Sequence, residues 1–519
     1  VLCVAPAGSG KTTTVVARIA WRVAGGTDPS TICALTFNRR AAEELQERAD
    51  AALAELDRPA GIVRVRTFHA LGREVLRDAG VDITRIVERS AVLSAVGGSA
   101  APPAVARHLD DAFTRLKLDP ERGPPADDAL THRAFAAYQA WLAEHTSLDL
   151  DDLVARAVPT LRGDADLLAR WRRRAATLFV DEAQDLDRTQ LELAVLLAGE
   201  TRDIFLVGDD DQTIYAWRLA DVRRVLGLAA ELPGLRRVDL DTNHRCAPEV
   251  VRRAARLVEH NRERFHKRIL PSARTSGRVT LAPDTGDAVA RARRLLVGWA
   301  LQVPHERYAV LARTNRELWP FAAVALELGL PYRIEDDGLW LDDARVTAVI
   351  ASADRGRPPL MAVAHAVRAH ALPERETAAL LQWTAPFRHL DELQRELEER
   401  RATRRTARSD DARLTLATAH GTKGLEWDHV ACIGLDAGTF PSARALRDSD
   451  DPARVLEEER RLAYVAWTRA RTSLTLVYDP GAPSPFLLEA FDADELTPRA
   501  SGPLGLPSSA AATAHPEER

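Results

Sequence analysis

Lysine is almost missing from this chain: of 71 Lys and Arg residues only Lys11, Lys117, Lys267 and Lys423 are lysine. Each one that remains marks a position where a compact ammonium, rather than a guanidinium, deserves inspection. Cysteine is equally rare. Cys3, Cys33, Cys246 and Cys432 are the only four, none in the paired C-x-x-C spacing that holds zinc, so they are expected to be buried, reduced thiols of a cytoplasmic protein. Positive charge is not in excess either. With a formal net charge of −5, nucleic-acid binding must rest on local sites and not on a global field. No apolar run approaches the roughly 18 residues that span a bilayer, and no basic start leads into a short apolar stretch, so neither membrane insertion nor secretion is expected. Methionine occurs once, at Met361, and the chain opens at Val1 inside a strand-like run, which implies a preceding segment.

What is present is the balance of a globular protein, with 46% apolar and 28% charged residues over 519 positions. At about 150 residues per domain this length allows three to four domains. Short apolar, β-branched runs alternate with helical patterns, the signature of parallel sheets with crossover helices. One series of runs is Val1 to Val4, Thr31 to Leu35, Ile62 to Val65, Leu178 to Val180, Ile204 to Val207 and Leu235 to Leu240. A second is Val279 to Leu281, Tyr308 to Leu311, Leu414 to Thr418, His429 to Gly434 and Leu474 to Tyr478. Two α/β units follow, each interrupted by a mainly helical insertion, at about Glu74 to Arg174 and about Thr347 to Asp411. The charged run from Glu392 to Arg408 reads as a solvated helix face. Beyond about Ala493 a Pro, Ser, Ala and Gly-rich composition predicts a disordered tail.

Val1-Leu2-Cys3-Val4 runs into Ala5-Pro6-Ala7-Gly8-Ser9-Gly10-Lys11-Thr12 and then a helix, the strand, loop and helix order of a P-loop. Glycines at 8 and 10 let backbone N–H groups turn toward phosphate oxygens, and the helix N-terminus adds its positive dipole end. Lys11 is placed to reach the outer phosphates and Thr12 to ligate Mg²⁺, with Ala7, Gly8, Ser9, Gly10 and Thr13 completing the cradle. Further on, Leu178-Phe179-Val180 leads into Asp181-Glu182, two carboxylates at the C-terminal end of a buried strand, where ligands of open α/β sheets bind. Asp181 suits the metal, and Glu182 suits a general base for the attacking water.

From here the sequence resembles the UvrD/Rep/PcrA family of superfamily 1 DNA helicases, motif after motif. Leu35-Thr36-Phe37-Asn38-Arg39-Arg40-Ala41-Ala42-Glu43 resembles the motif whose aromatic, here Phe37, contacts single-stranded DNA. Thr67-Phe68-His69 resembles the next DNA-contacting motif, which implies DNA contacts for Thr67 and His69, and Leu150-Asp151-Asp152-Leu153 resembles a weaker signature. In Val207-Gly208-Asp209-Asp210-Asp211-Gln212-Thr213-Ile214-Tyr215-Ala216-Trp217-Arg218 the resemblance makes Gln212 a sensor of the γ-phosphate and Tyr215, Trp217 and Arg218 contacts to bases. Thr242-Asn243-His244-Arg245 resembles the motif that sends an arginine, Arg245, to the γ-phosphate; His244 stands where the family usually stacks a tyrosine on adenine. Arg313-Thr314-Asn315 implies further DNA contacts through Arg313 and Asn315. Thr418 to Trp427 implies a ribose contact for Glu426 and a DNA contact for His420, and Glu458 to Ala470 gives Arg469 as a second arginine finger.

The resemblance implies two RecA-like P-loop domains with parallel sheets, the first at 1–75 and 175–243 around an insertion at 76–174, the second at 244–346 and 412–492 around a reduced insertion at 347–411, then a tail at 493–519. It implies an ATP- and Mg²⁺-dependent 3′-to-5′ helicase acting on single-stranded DNA and 3′-tailed duplexes, with repair or recombination proteins as partners. A translocase that does not separate strands, and a non-motor DNA-binding scaffold, are the competing readings. A nuclease lysine two residues after an acidic one is absent, since Ser9, Arg115, Phe265 and Gly421 hold those positions.

Overall fold

The computed structural model describes residues 1–97, 103–124, 128–199, 203–299, 305–335, 343–370, 372, 377, 380–381 and 383–496. The chain divides into two units, one of Val1–Arg245 with Val258–Arg274, the other of Cys246–Leu257 with the chain from Thr275 onward.

The first unit holds a six-stranded sheet. Its strands are β1 (Leu2–Val4), β2 (Ile32–Thr36), β3 (Arg64–Thr67), β4 (Thr177–Val180), β5 (Ile204–Gly208) and β6 (Arg237–Asp239), in the order β3-β2-β4-β5-β1-β6. Every neighbouring pair is parallel. Strands β1, β2, β4 and β5 are buried along their whole length, which is why they read as unbroken apolar runs without alternation. Edge strand β6 is exposed and carries Arg237 and Asp239, which pair at 2.7 Å and blunt the edge. The helix Lys11–Ala24 buries Val15, Ile19 and Val23, one face at a spacing of four, and stops at Gly25 and Gly26, the latter left-handed at φ 92°.

Between β3 and β4 the described residues are helical, from Phe68–Asp78 to Ala165–Arg174, with one isolated bridge between Ile86 and Leu148. A small core of Val92, Phe113, Tyr138 and Leu142 is flanked by a buried ion cluster. There Lys117 reaches Asp149 and Asp152, both at 2.8 Å, and Arg89 reaches Asp149 and Asp151.

The second unit repeats the plan. Two strands of the first unit come before it, β7 (Thr242–Asn243) and β8 (Leu270–Pro271), a short parallel ribbon. The second sheet comprises β9 (Arg278–Pro283), β10 (Tyr308–Ala312), β11 (Tyr332–Ile334), β12 (Leu414–Thr418), β13 (Trp427–Cys432) and β14 (Ala470–Tyr478), ordered β11-β12-β10-β13-β14-β9 and parallel throughout. Helices Ala344–Ser352, Pro359–Val367 and Leu390–Ala407 lie between β11 and β12. The four cysteines are buried and form no disulfide, and burial pushes the Cys33 and Cys432 thiols up to about 12. No helix among the described residues is long and apolar enough to cross a membrane.

Two expectations need correction. The span 244–346 was expected to belong to the second domain, yet Val258–Arg274 packs with the first unit. Two forces hold it there: the β7–β8 pairing, and a buried lysine and arginine that enter the turn after β5. The predicted disordered tail at 493–519 begins with order, because Ala493–Leu496 forms a helical turn. Glu495 pairs with Arg253 at 2.6 Å, Asp492 pairs with Arg256 at 2.7 Å, and the Tyr478 hydroxyl donates to the Leu496 carbonyl. Residues 497–519 of that tail lie outside the described residues.

Candidate nucleotide and nucleic-acid site

The order β4-β5-β1 brings three loops to one edge of the first sheet: the P-loop after β1, Asp181 and Glu182 after β4, and the Asp209–Gln212 turn after β5. In the P-loop, Gly8 and Gly10 are left-handed at φ 68° and 87°, which glycine adopts without Cβ strain. The Ser9 hydroxyl donates to the Pro6 carbonyl at 2.8 Å, and the half-buried Lys11 ammonium lies 3.4 Å from the Ala5 carbonyl. Thr12 stands half-buried in the first helical turn, whereas the Thr13 hydroxyl accepts from Arg48 at 2.7 Å and faces that side chain.

The loop is latched from behind by the strand that follows it in space, not in sequence. Asn243 donates from Nδ2 to the Ala7 carbonyl at 2.8 Å and accepts the Arg245 N–H on Oδ1 at 2.8 Å. The His244 N–H donates to the Gly8 carbonyl at 2.8 Å. Arg245 and the exposed His244 are thereby carried to the P-loop. Sequence reasoning assigned no role to Asn243; its signal is an amide buried to 1% exposure inside a polar tetrapeptide.

At the end of β4, Asp181 is buried and accepts the Glu182 N–H on its own carboxylate at 2.9 Å. Glu182 itself is left-handed at φ 54°, a conformation uncommon for a residue with a Cβ and one that active sites retain. Its Oε2 accepts from Gln184 Nε2 at 2.6 Å, and Gln184 Oε1 accepts the Asp209 N–H at 3.0 Å. Asp209 Oδ2 in turn accepts from Gln212 Nε2 at 2.7 Å. A continuous chain of hydrogen bonds thus runs from Glu182 to Gln212. Gln184 is the second residue that sequence reasoning passed over, although it sits two positions from Glu182.

Beyond Gln212 the turn rises into an aromatic platform. Phe37 and Tyr215 stack with centroids 5.3 Å apart and planes 11° from parallel, and Trp217 meets Tyr215 edge-on at 6.1 Å. The Arg218 guanidinium lies 4.7 Å from the Trp217 centroid and 5.8 Å from that of Phe37. Trp217 is 61% exposed, and together with Phe37 and Tyr215 it presents a contiguous aromatic surface to solvent. Thr67 caps the helix Phe68–Asp78 by accepting the Ala70 N–H. Burial holds the neighbouring His69 below its ordinary pKa, opposed by Asp151 and reinforced by Arg218.

In the second unit, Arg313 forms a pair with buried Glu459, Nε and Nη2 both lying within 2.9 Å of its carboxylate. Asn315 opens a helix whose N-terminus is closed by a capping box of Thr314 and Glu317. Arg469 is 2% exposed and donates to the Val465 and Leu425 carbonyls, next to Glu426, which faces Arg471 at 3.7 Å. Burial pushes His420 down to about 4, with Arg313 adding to the shift and Glu459 opposing it. Since the folded pKa lies below the ordinary value of about 6.5, the unfolded chain binds the extra proton. Stability from this group is therefore complete above about pH 6.5 and declines as pH falls toward 4, by up to about 3 kcal/mol. His420→Gln is expected to flatten the slope of unfolding free energy between pH 6.5 and 4.5; an unchanged slope would remove His420 as its source.

The family model for the UvrD/REP helicase N-terminal domain matches residues 1–122 and 110–233, and that for the UvrD-like helicase C-terminal domain matches residues 382–480. ATP-dependent DNA helicase UvrD2 of Mycobacterium tuberculosis is 30% identical, with 92% of this chain and 76% of the relative aligned. DNA helicase II of Escherichia coli is 27% identical over 92% of this chain and 82% of its own length. ATP-dependent DNA helicase Rep of Escherichia coli is 24% identical over 91% and 88%.

Proposed function

Because the chain belongs to the UvrD/Rep/PcrA-type family of superfamily 1 helicases, we propose that it hydrolyses ATP to travel 3′ to 5′ along single-stranded DNA, opening 3′-tailed duplexes in repair or recombination. The observation that carries this reading is the hydrogen-bonded chain from Glu182 through Gln184 and Asp209 to Gln212, which ends at the base of the Phe37, Tyr215 and Trp217 platform. It joins a hydrolytic carboxylate to a stacking surface within one unit.

Lys11 and the P-loop N–H groups bind the phosphates, and Glu182 takes the proton of the attacking water as general base. Thr12, half-buried in the first helical turn, and buried Asp181 at the end of β4 would supply the hydroxyl and carboxylate oxygens that suit Mg²⁺. When bound, that ion neutralises charge on the phosphate oxygens. Gln212 senses the γ-phosphate, Arg245, carried to the P-loop by the Asn243 latch, stabilises charge on the transferring group, and His244 meets the adenine. For Arg469 as a second arginine finger and Glu426 as a ribose contact, the support is the family resemblance of their motifs. On the DNA side, stacking one base on an aromatic is worth about 1 to 3 kcal/mol. This matches the roughly 1.4 kcal/mol of one base-pair step, so the platform holds an opened base. Thr67, His69 and Arg218 add the first unit's remaining contacts to the strand, and Arg313, Asn315 and His420 supply those of the second unit.

ATP turnover with and without oligothymidylate, followed by displacement from duplexes with a 3′ or a 5′ tail, tests the proposal. Stimulation and preference for the 3′ tail are expected. Stimulation without displacement favours a translocase that leaves strands paired, and no stimulation overturns the motor reading. Trp217→Ala is expected to weaken oligothymidylate binding by roughly 5- to 150-fold, the loss of one stacked base. Equal affinity in a fluorescence-anisotropy titration would take Trp217 off the strand's path.

A further inference from the structure

Lys267 lies in a segment that none of the motifs covers, yet its ammonium is the most enclosed cation of the first unit's ligand edge. Its side chain is 1% exposed, and Nζ sits 2.8 Å from Asp209 Oδ1, 2.8 Å from Asp211 Oδ2, and paired with Asp210 as well. Arg264 closes the cluster with Nη2 on Asp211 at 2.8 Å, and the Phe265 N–H donates to Asp210 at 2.8 Å. Three carboxylates this close form a cage that would suit a divalent cation, and the lysine fills it. The balance is tight: burial pushes Asp210 up to about 6 although Lys267 pulls it down, with Asp211 and Asp209 adding to the rise.

A buried ion cluster is a poor source of stability, because desolvation offsets most of the Coulomb attraction. What this one provides is orientation. Asp209 has both oxygens in use, Oδ1 facing Lys267 and Oδ2 accepting from Gln212 at 2.7 Å. The rotation of that carboxylate, and with it the resting place of the Gln212 amide, is therefore set by the lysine together with the Asp211 N–H, which donates to the same Oδ1 at 3.3 Å. We propose that Lys267 is a positioning residue for DNA-stimulated hydrolysis, fixing Asp209 as the acceptor that holds Gln212 back until DNA seated on Tyr215 and Trp217 shifts the turn between them. The inference rests on the motor reading above and adds a restraint to it. Resting turnover is slow because Gln212 is held on Asp209.

The test pairs Lys267→Gln with Asp210→Asn, which removes one charge of each sign from the cluster, alongside Lys267→Arg, which keeps the cation but not a single nitrogen among three carboxylates. ATP turnover is measured with and without saturating oligothymidylate, together with the KM for ATP. The double variant is expected to raise DNA-free turnover at least fivefold with KM and DNA-saturated turnover within twofold, and Lys267→Arg to give a smaller rise of two- to fivefold. A merely structural cation cannot raise turnover when removed. DNA-free turnover that stays level or falls in both variants, or a loss of folded protein in both, overturns the proposal. Absence of DNA stimulation in the unaltered protein is a different result and fails the motor reading itself.

Discussion

Replacing Glu182 by glutamine is expected to lower DNA-stimulated ATP turnover by about 10²- to 10⁴-fold, the contribution of a positioned general base, while nucleotide and DNA binding survive. The structure explains why binding should persist. Glutamine is nearly isosteric with glutamate and keeps a carbonyl oxygen that accepts from Gln184 Nε2, so the chain toward Asp209 and the left-handed backbone at 182 are retained. What is lost is the basic oxygen. A fluorescent ATP analogue should bind the variant with unchanged affinity under conditions where phosphate release is undetectable. Turnover within tenfold of the unaltered protein would mean that another group activates the water.

Gly8→Ala is expected to weaken ATP binding by roughly 5- to 150-fold, the equivalent of about 1 to 3 kcal/mol of local strain. Two independent constraints meet at this residue. Its φ of 68° is a conformation that L side chains rarely adopt, and a Cβ there would lie 2.7 Å from both the Arg245 Cβ and the Asn243 Oδ1. Both neighbours belong to the latch, so relief of the overlap pushes Arg245 away from the phosphates as well as distorting the loop. The loss should therefore appear in affinity and in turnover of bound ATP together. An ATP titration that superimposes on that of the unaltered protein would show that the latch yields freely.

How much of this could be read from the residues alone depends on how local each signal is. The P-loop and the Asp181-Glu182 pair were legible because strand, turn and helix follow within a dozen positions and each demands a recognisable residue type. Strands β1, β2, β4 and β5 were legible as buried apolar runs. Strand β11 and the β7–β8 ribbon were not, because two or three residues carry no period, and Pro271 in β8 speaks against a strand at all. The assignment of Val258–Arg274 failed for a related reason. Its bond to the first unit is a lysine and an arginine meeting aspartates more than fifty positions earlier, which no window detects. Only the scarcity of lysine pointed toward it. Lys117, the other lysine outside the quoted motifs, lies in the helical insertion with its ammonium between Asp149 and Asp152. At the tail, the turn Ala493–Leu496 sits where the composition begins to shift, and the acidic Asp492 and Glu495 that dock it onto Arg256 and Arg253 belong to neither pattern.

The strand order of the first sheet has a consequence for biosynthesis. Leu2 in β1 pairs with Leu206 in β5 and Arg237 in β6, so β1 has no sheet neighbour until about 200 more residues have been made. At about 5 to 20 residues per second the ribosome needs some 10 to 40 s to supply them. Throughout that interval a wholly apolar segment has unsatisfied edges on both sides. The insertion helices, whose contacts are local, have time to collapse first, and the sheet edge that carries the P-loop closes only after them. A nascent chain of this topology therefore depends on shielding of β1, and slow translation between β4 and β5 would lengthen the exposure.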